Sequence, residues 1–133
     1  MRHPDWPELL AEFIEVRRDR AFAWGSHDCV LMAADWIEQA TGVDPIADLR
    51  GRWTDALQAA RTIAEVGGLN AAVTARLGRA HDCVLMAGRG DVALIVHAGR
   101  QTLAVVTDAG LACPGEAEMA VVPLSAAEVA WPV

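Results

Sequence analysis

The sequence predicts an α+β domain in which helices come first and an antiparallel sheet follows. Up to about residue 77, apolar residues recur at helical spacing between cap-type residues and glycines. Beyond residue 90 they come in short runs separated by turn-forming pairs, as strands do. No stretch has the composition of a linker, so residues 1–133 are read as a single domain.

The elements follow in order. Asp5-Trp6-Pro7-Glu8 opens a helix: Asp5 is placed to cap it, Pro7 suits the first turn, and Glu8 stands at capping-box spacing. Leu10, Phe13 and Ile14 give it an apolar stripe that fades into Arg17-Arg18-Asp19-Arg20, a helix end favourable to cations. From Cys29 to Ala40 the residues are apolar on most faces, and Gly42 supplies a stop. A helix of that composition is buried, which puts Cys29 at the N-terminus of a central helix capped by Asp28 or Ser26.

Thr54 to Val66 reads as an amphipathic helix ended by Gly67-Gly68, and Leu69 to Leu77 as a short one ended by Gly78. Val92 to Val96 then forms a strand after Gly90-Asp91, with Asp91 read as satisfying turn backbone. Ala98-Gly99-Arg100 turns it into a second strand, Thr102 to Val106. Cys113 falls in an expected turn, Glu118 to Leu124 forms a third strand, and a final turn precedes Trp131.

The composition is 53% hydrophobic and 22% charged, with 11 basic against 18 acidic residues and a net charge of -7. That balance gains no counterion-release affinity, so nucleic acid is not an expected partner. No apolar run is long enough to span a bilayer, and Met1-Arg2-His3-Pro4-Asp5 lacks the pattern of a signal peptide. Synthesis in a cytosol is expected, with Cys29, Cys83 and Cys113 as thiols.

The run His-Asp-Cys-Val-Leu-Met-Ala occurs twice, at 27–33 and 81–87. The first copy follows Trp24-Gly25 and starts a buried helix; the second runs through Gly88-Arg89-Gly90 towards a strand. The flanks differ, so a structural repeat is not expected. A metal module built from both copies would need Cys29 and Cys83 close together; no metal or cofactor is expected from ligand spacing alone. Only the first copy has chemistry tied to its position. A thiol at a helix N-terminus faces unpaired N–H groups and the positive end of the dipole, which favour thiolate. The same N–H groups can support an oxyanion.

Trp24-Gly25-Ser26-His27-Asp28-Cys29, a buried helix, and then Gly90-Asp91-Val92 resemble the NlpC-type papain-like cell-wall peptidases. With an aromatic at Trp53 and the closing Ala130-Trp131, the chain more closely resembles a small family encoded among phage tail genes, often labelled tail assembly proteins. The resemblance covers most of residues 8–133. It implies a papain-like fold with Cys29 at the nucleophile position. It sets Asp28 where the peptidases hold the amino end of a stem peptide, with Trp24 beside it on the substrate side.

The base departs from the pattern, because Thr102 stands where those peptidases have their histidine. His97, expected across the hairpin from Gln101 or Thr102, is the candidate to approach the vacated position from the neighbouring strand. The bland alternatives are an exposed turn histidine at His97, a loop histidine at His27, tryptophans that pack rather than bind, and solvated arginines at Arg50 and Arg52. The resemblance thus implies a tail or tail-tip component, made in a bacterial cytoplasm and carried in the virion, with eroded catalysis. Its partners would be other tail proteins. The alternative is an active cysteine peptidase or amidase acting on peptidoglycan peptides.

Overall fold

A computed structural model describes all of residues 1–133. Helix α1 (Trp6–Arg17) carries Pro7 in its first turn, but the Asp5 side chain makes no capping bond. His3 closes this end instead: its carbonyl accepts the Trp6 N–H at 3.0 Å and its Nδ1 accepts the Asp5 N–H at 3.0 Å. Helix α2 (Cys29–Thr41) is capped by Asp28, whose Oδ1 accepts the Leu31 N–H at 3.0 Å. Gly42, left-handed at φ 79°, ends it. Helix α3 (Ala56–Glu65) is capped by Asp55 rather than starting at Thr54, and α4 (Leu69–Leu77) stops at Gly78 as its glycine predicts.

Five antiparallel strands follow: β1 (Val92–His97), β2 (Arg100–Thr107), β3 (Gly110–Pro114), β4 (Met119–Val122) and β5 (Val129–Trp131), in the order β4-β3-β2-β1-β5. Two of them, β3 and β5, correct the sequence reading, which had a turn in place of β3 and no strand after the final turn before Trp131. Cys113 is therefore a fully buried strand residue. The β1–β2 turn has two central residues, Ala98 and Gly99, both at positive φ (50° and 75°). This two-residue geometry matches the right-handed twist of the strands. It pairs His97 with Arg100, Val96 with Gln101 and Ile95 with Thr102, so His97 is not opposite Gln101 or Thr102 as expected.

The sheet is covered on both faces. Val92, Leu94, Leu103, Val105, Ala112 and Trp131 face the helices, where Met32, Ala33, Trp36 and Ile37 of α2 meet them with Phe13 of α1 and Val73 of α4. Trp36 is wholly buried and its indole N–H donates to the Gly90 carbonyl at 2.8 Å, which satisfies its one polar atom. Behind the sheet, Ala93, Ile95, Ala104, Leu111 and Cys113 are covered by two short 3₁₀ turns, Val84–Met86 and Leu124–Ala126, and the residues around them.

The first of those turns is the second copy of the seven-residue run. Leu31 and Met32 of the first copy are buried, whereas Leu85 and Met86 of the second are 79% and 61% exposed. Cys83 is exposed ahead of the 3₁₀ turn, not entering a strand.

Asp91, 5% exposed, joins distant segments. Its Oδ1 accepts from Arg2 Nη2 (2.7 Å) and the Val133 N–H (3.1 Å), and its Oδ2 pairs with His81 Nε2 (2.9 Å) and accepts the Gly88 N–H (3.0 Å). Arg2 adds bonds to the carbonyls of Arg89 and Val133, both at 2.7 Å. The expected turn role is thus one part of a wider one. Arg50, expected to be solvated, ion-pairs with Asp44 at 2.6 Å and Asp35 at 2.8 Å. No helix is long and apolar enough to cross a membrane.

Candidate functional site

The first His-Asp-Cys run lies where the Ala23–His27 turn feeds α2. The Ala23 and His27 backbones form an isolated antiparallel bridge, and Gly25, at φ 78°, makes the tight turn between them. A Cβ at Gly25 would lie 2.6 Å from the Trp53 carbonyl oxygen, so glycine is required both by the backbone angle and by this close approach.

Asp28 organises the corner. It is 1% exposed, and three internal donors converge on its carboxylate. Oδ1 takes the Leu31 N–H; Oδ2 takes the Gly25 N–H at 3.0 Å and the Trp53 indole N–H at 2.7 Å. A buried carboxylate is costly unless its oxygens are met by donors, and here they are. The Trp24-Gly25 turn, α2 and the Trp53 loop are therefore tied at one side chain. A binding role for Asp28 has no free, solvent-facing oxygen to work with.

Cys29 is the first residue of α2, as the sequence predicts, but the expected thiolate does not follow. Desolvation dominates and, together with the Asp28 and Cys113 charges, pushes the thiol up to about 11. The Leu103 backbone N–H and the Arg100 charge pull the other way and do not offset it. Burial also pushes Cys113 up to about 11. Helix-end stabilisation of a thiolate is of order 1 kcal/mol, whereas desolvation of a buried anion costs several. The larger effect wins.

A cleft of about 70 Å³ opens beside Cys29, and Trp24, His97, Arg100, Gln101 and Thr102 help to line it. His97 thus reaches the same cleft as Cys29, yet no hydrogen bond joins an imidazole to this sulfur: His3 and His81 bond elsewhere, and His27 Nε2 has no partner. The Thr102 hydroxyl donates back to the Arg100 carbonyl at 3.1 Å. His27, expected as a loop residue, is 2% exposed. No group of three or more His, Cys, Asp or Glu side chains is arranged to hold a metal ion.

Sequence reasoning missed one member of the corner, Arg100. Arg100 stands 5.2 Å from the Trp24 ring centroid and 5.5 Å from that of Phe22, and those two rings meet edge-to-face at 4.7 Å. Both aromatics were visible beside Gly25; the arginine was read only as part of a turn.

Comparison with known proteins gives one family. Residues 1–133 match a family described as a domain of unknown function, DUF6950. No curated protein matches the chain, and no solved structure does.

Proposed function

The chain belongs to the DUF6950 family; we propose that it is a non-catalytic assembly component of a bacteriophage tail or tail tip. In this reading a papain-like peptidase frame has kept its corner for packing and lost its chemistry. The resemblance of Trp24-Gly25…Asp28-Cys29, Gly90-Asp91 and Ala130-Trp131 to tail assembly proteins supports the assembly role. The observation that carries the loss of catalysis is the Asp28 carboxylate, met by three donors from its own chain. That arrangement gives the motif a purpose without a substrate: it clamps a turn, a helix and a loop. The raised Cys29 thiol and its lack of an imidazole partner point the same way.

The test has two arms. Mass spectrometry of purified particles, and of tail intermediates, from a phage encoding this chain should find it in at least one of them. Cys29→Ala should leave particle yield unchanged. In the purified protein, iodoacetamide near neutral pH should modify exposed Cys83 well ahead of Cys29 and Cys113. Preferential labelling of Cys29, together with peptidoglycan-peptide cleavage abolished by Cys29→Ala, would instead establish a cysteine peptidase or amidase with His97, which lines the same cleft, as the candidate base.

A further inference from the structure

A second cavity, of about 50 Å³, lies inside the helical layer, between α2, α3, α4 and the segment 45–53, with Val92 and Leu103 of the sheet as its floor. Val30, Trp53 and Ile63 line both this cavity and the Cys29 cleft, but Cys29 itself does not reach it. Its origin is in the sequence. Where the helices converge, several facing residues are small: Ala33 and Ala34 on α2, Thr62 on α3 and Ala72 on α4. Protein interiors leave few spaces larger than a water, and a space of this size forfeits the contacts that its walls would otherwise make.

The wall decides what fits. Of its 17 residues 14 are hydrophobic, and the others are Pro45, Thr62 and Arg76. The Thr62 hydroxyl donates to the Gln58 carbonyl at 2.9 Å, Arg76 pairs with Asp48 at 3.1 Å, and the Trp53 indole N–H goes to Asp28 at 2.7 Å. Each polar side chain of the wall is thus already engaged, so water, an ion or a peptide backbone would give up hydrogen bonds on entering. Hydrocarbon gives up none. At roughly 10–15 Å³ for each water-sized group, the cavity admits about four such groups, which suits a butyl chain and excludes an aromatic ring. A surface cleft of about 190 Å³ shares Ile37, Pro45, Arg76 and Leu77 with the cavity. Pro45, Arg76 and Leu77 are half-buried, which makes this cleft the way in and leaves room there for a polar head group.

We propose that this cavity is a binding site for the alkyl chain of a small molecule, about four carbons long, whose polar head stays in the outer cleft. A protein segment is not the occupant, because the wall offers its backbone no hydrogen-bond partner. The site does not depend on the assembly reading, and its failure leaves that reading intact.

The experiment is an NMR titration of the full chain with ¹³C-labelled Ile, Leu and Val methyl groups, following those of Ile37, Ile46, Leu49 and Val73. The probes are ethanol, 1-propanol and 1-butanol. Each should shift these signals saturably, with affinity rising about fourfold for each added carbon. The control is 1,4-butanediol, as long as butanol but unable to enter without burying a hydroxyl, and it should not bind. Ala34→Leu fills the cavity from α2 and Ala72→Leu fills it from α4, and each should weaken butanol binding by roughly tenfold or more. Leu85→Ser, at an exposed site behind the sheet, should leave it unchanged. The alcohol series and the diol are read on the unaltered chain, so the test stands even where a filled variant fails to fold. No saturable shift with any alcohol, equal binding of the diol, or undiminished binding by a folded filled variant would overturn the proposal.

Discussion

At the scale of single residues, the corner is organised by what surrounds each polar atom, and the sequence conveys this unevenly. Asp28 and Cys29 were legible because cap chemistry is local: a carboxylate three residues before an N–H needs only its own helix. The indole of Trp53 reaching Asp28 across 25 positions, or Arg100 resting on Trp24, depends on tertiary placement that no local pattern encodes. His27 was misread for the same reason. Nothing in its neighbours announces that a loop histidine is buried with Nε2 unpartnered. Burial, reinforced by Arg20 and Arg17, holds its imidazole below the ordinary histidine value. The unfolded chain therefore takes up this proton first as pH falls. The stability gained by keeping His27 neutral is complete above the ordinary value of about 6.5 and is lost as pH falls through the lowered folded value. Urea midpoints measured from about pH 7.5 to 5 should fall with acidification, and less steeply in His27→Gln.

At the scale of elements, helices bounded by strong punctuation were predicted to within a residue or two, as for α2 before Gly42 and α4 before Gly78. The strands without such signals were not. β3 is five residues with a glycine at one end and a proline at the other, letters that read as a turn until β2 and β4 pair with it. β5 is three residues long and exists through its pairing with β1. Tertiary pairing outweighs local propensity in both. The β1–β2 turn carries a local conflict of its own, since Ala98 adopts a left-handed φ of 50° that a side chain with no polar atom does nothing to support. Ala98→Asn should raise unfolding stability by about 0.5–1 kcal/mol, measured by denaturant titration, with the register around His97 and Arg100 unchanged.

At the scale of the whole molecule, the chain is closed on itself by Asp91, which holds the first residues, the segment around His81, the start of β1 and the last residue together. Asp91→Asn leaves Arg2 without its counter-charge in a partly buried setting, and should cost about 3 kcal/mol in chemical denaturation. Arg2→Ala should cost less, because His81 and two backbone donors stay with the carboxylate. The back of the sheet has a separate outcome. One copy of the seven-residue run is locked in the interior while its twin lies on the outside, so the folded chain displays an identical epitope once and hides it once. An antibody raised against that heptapeptide should bind native protein with at most one equivalent and denatured protein with two. The ratio would count folded molecules with no added label.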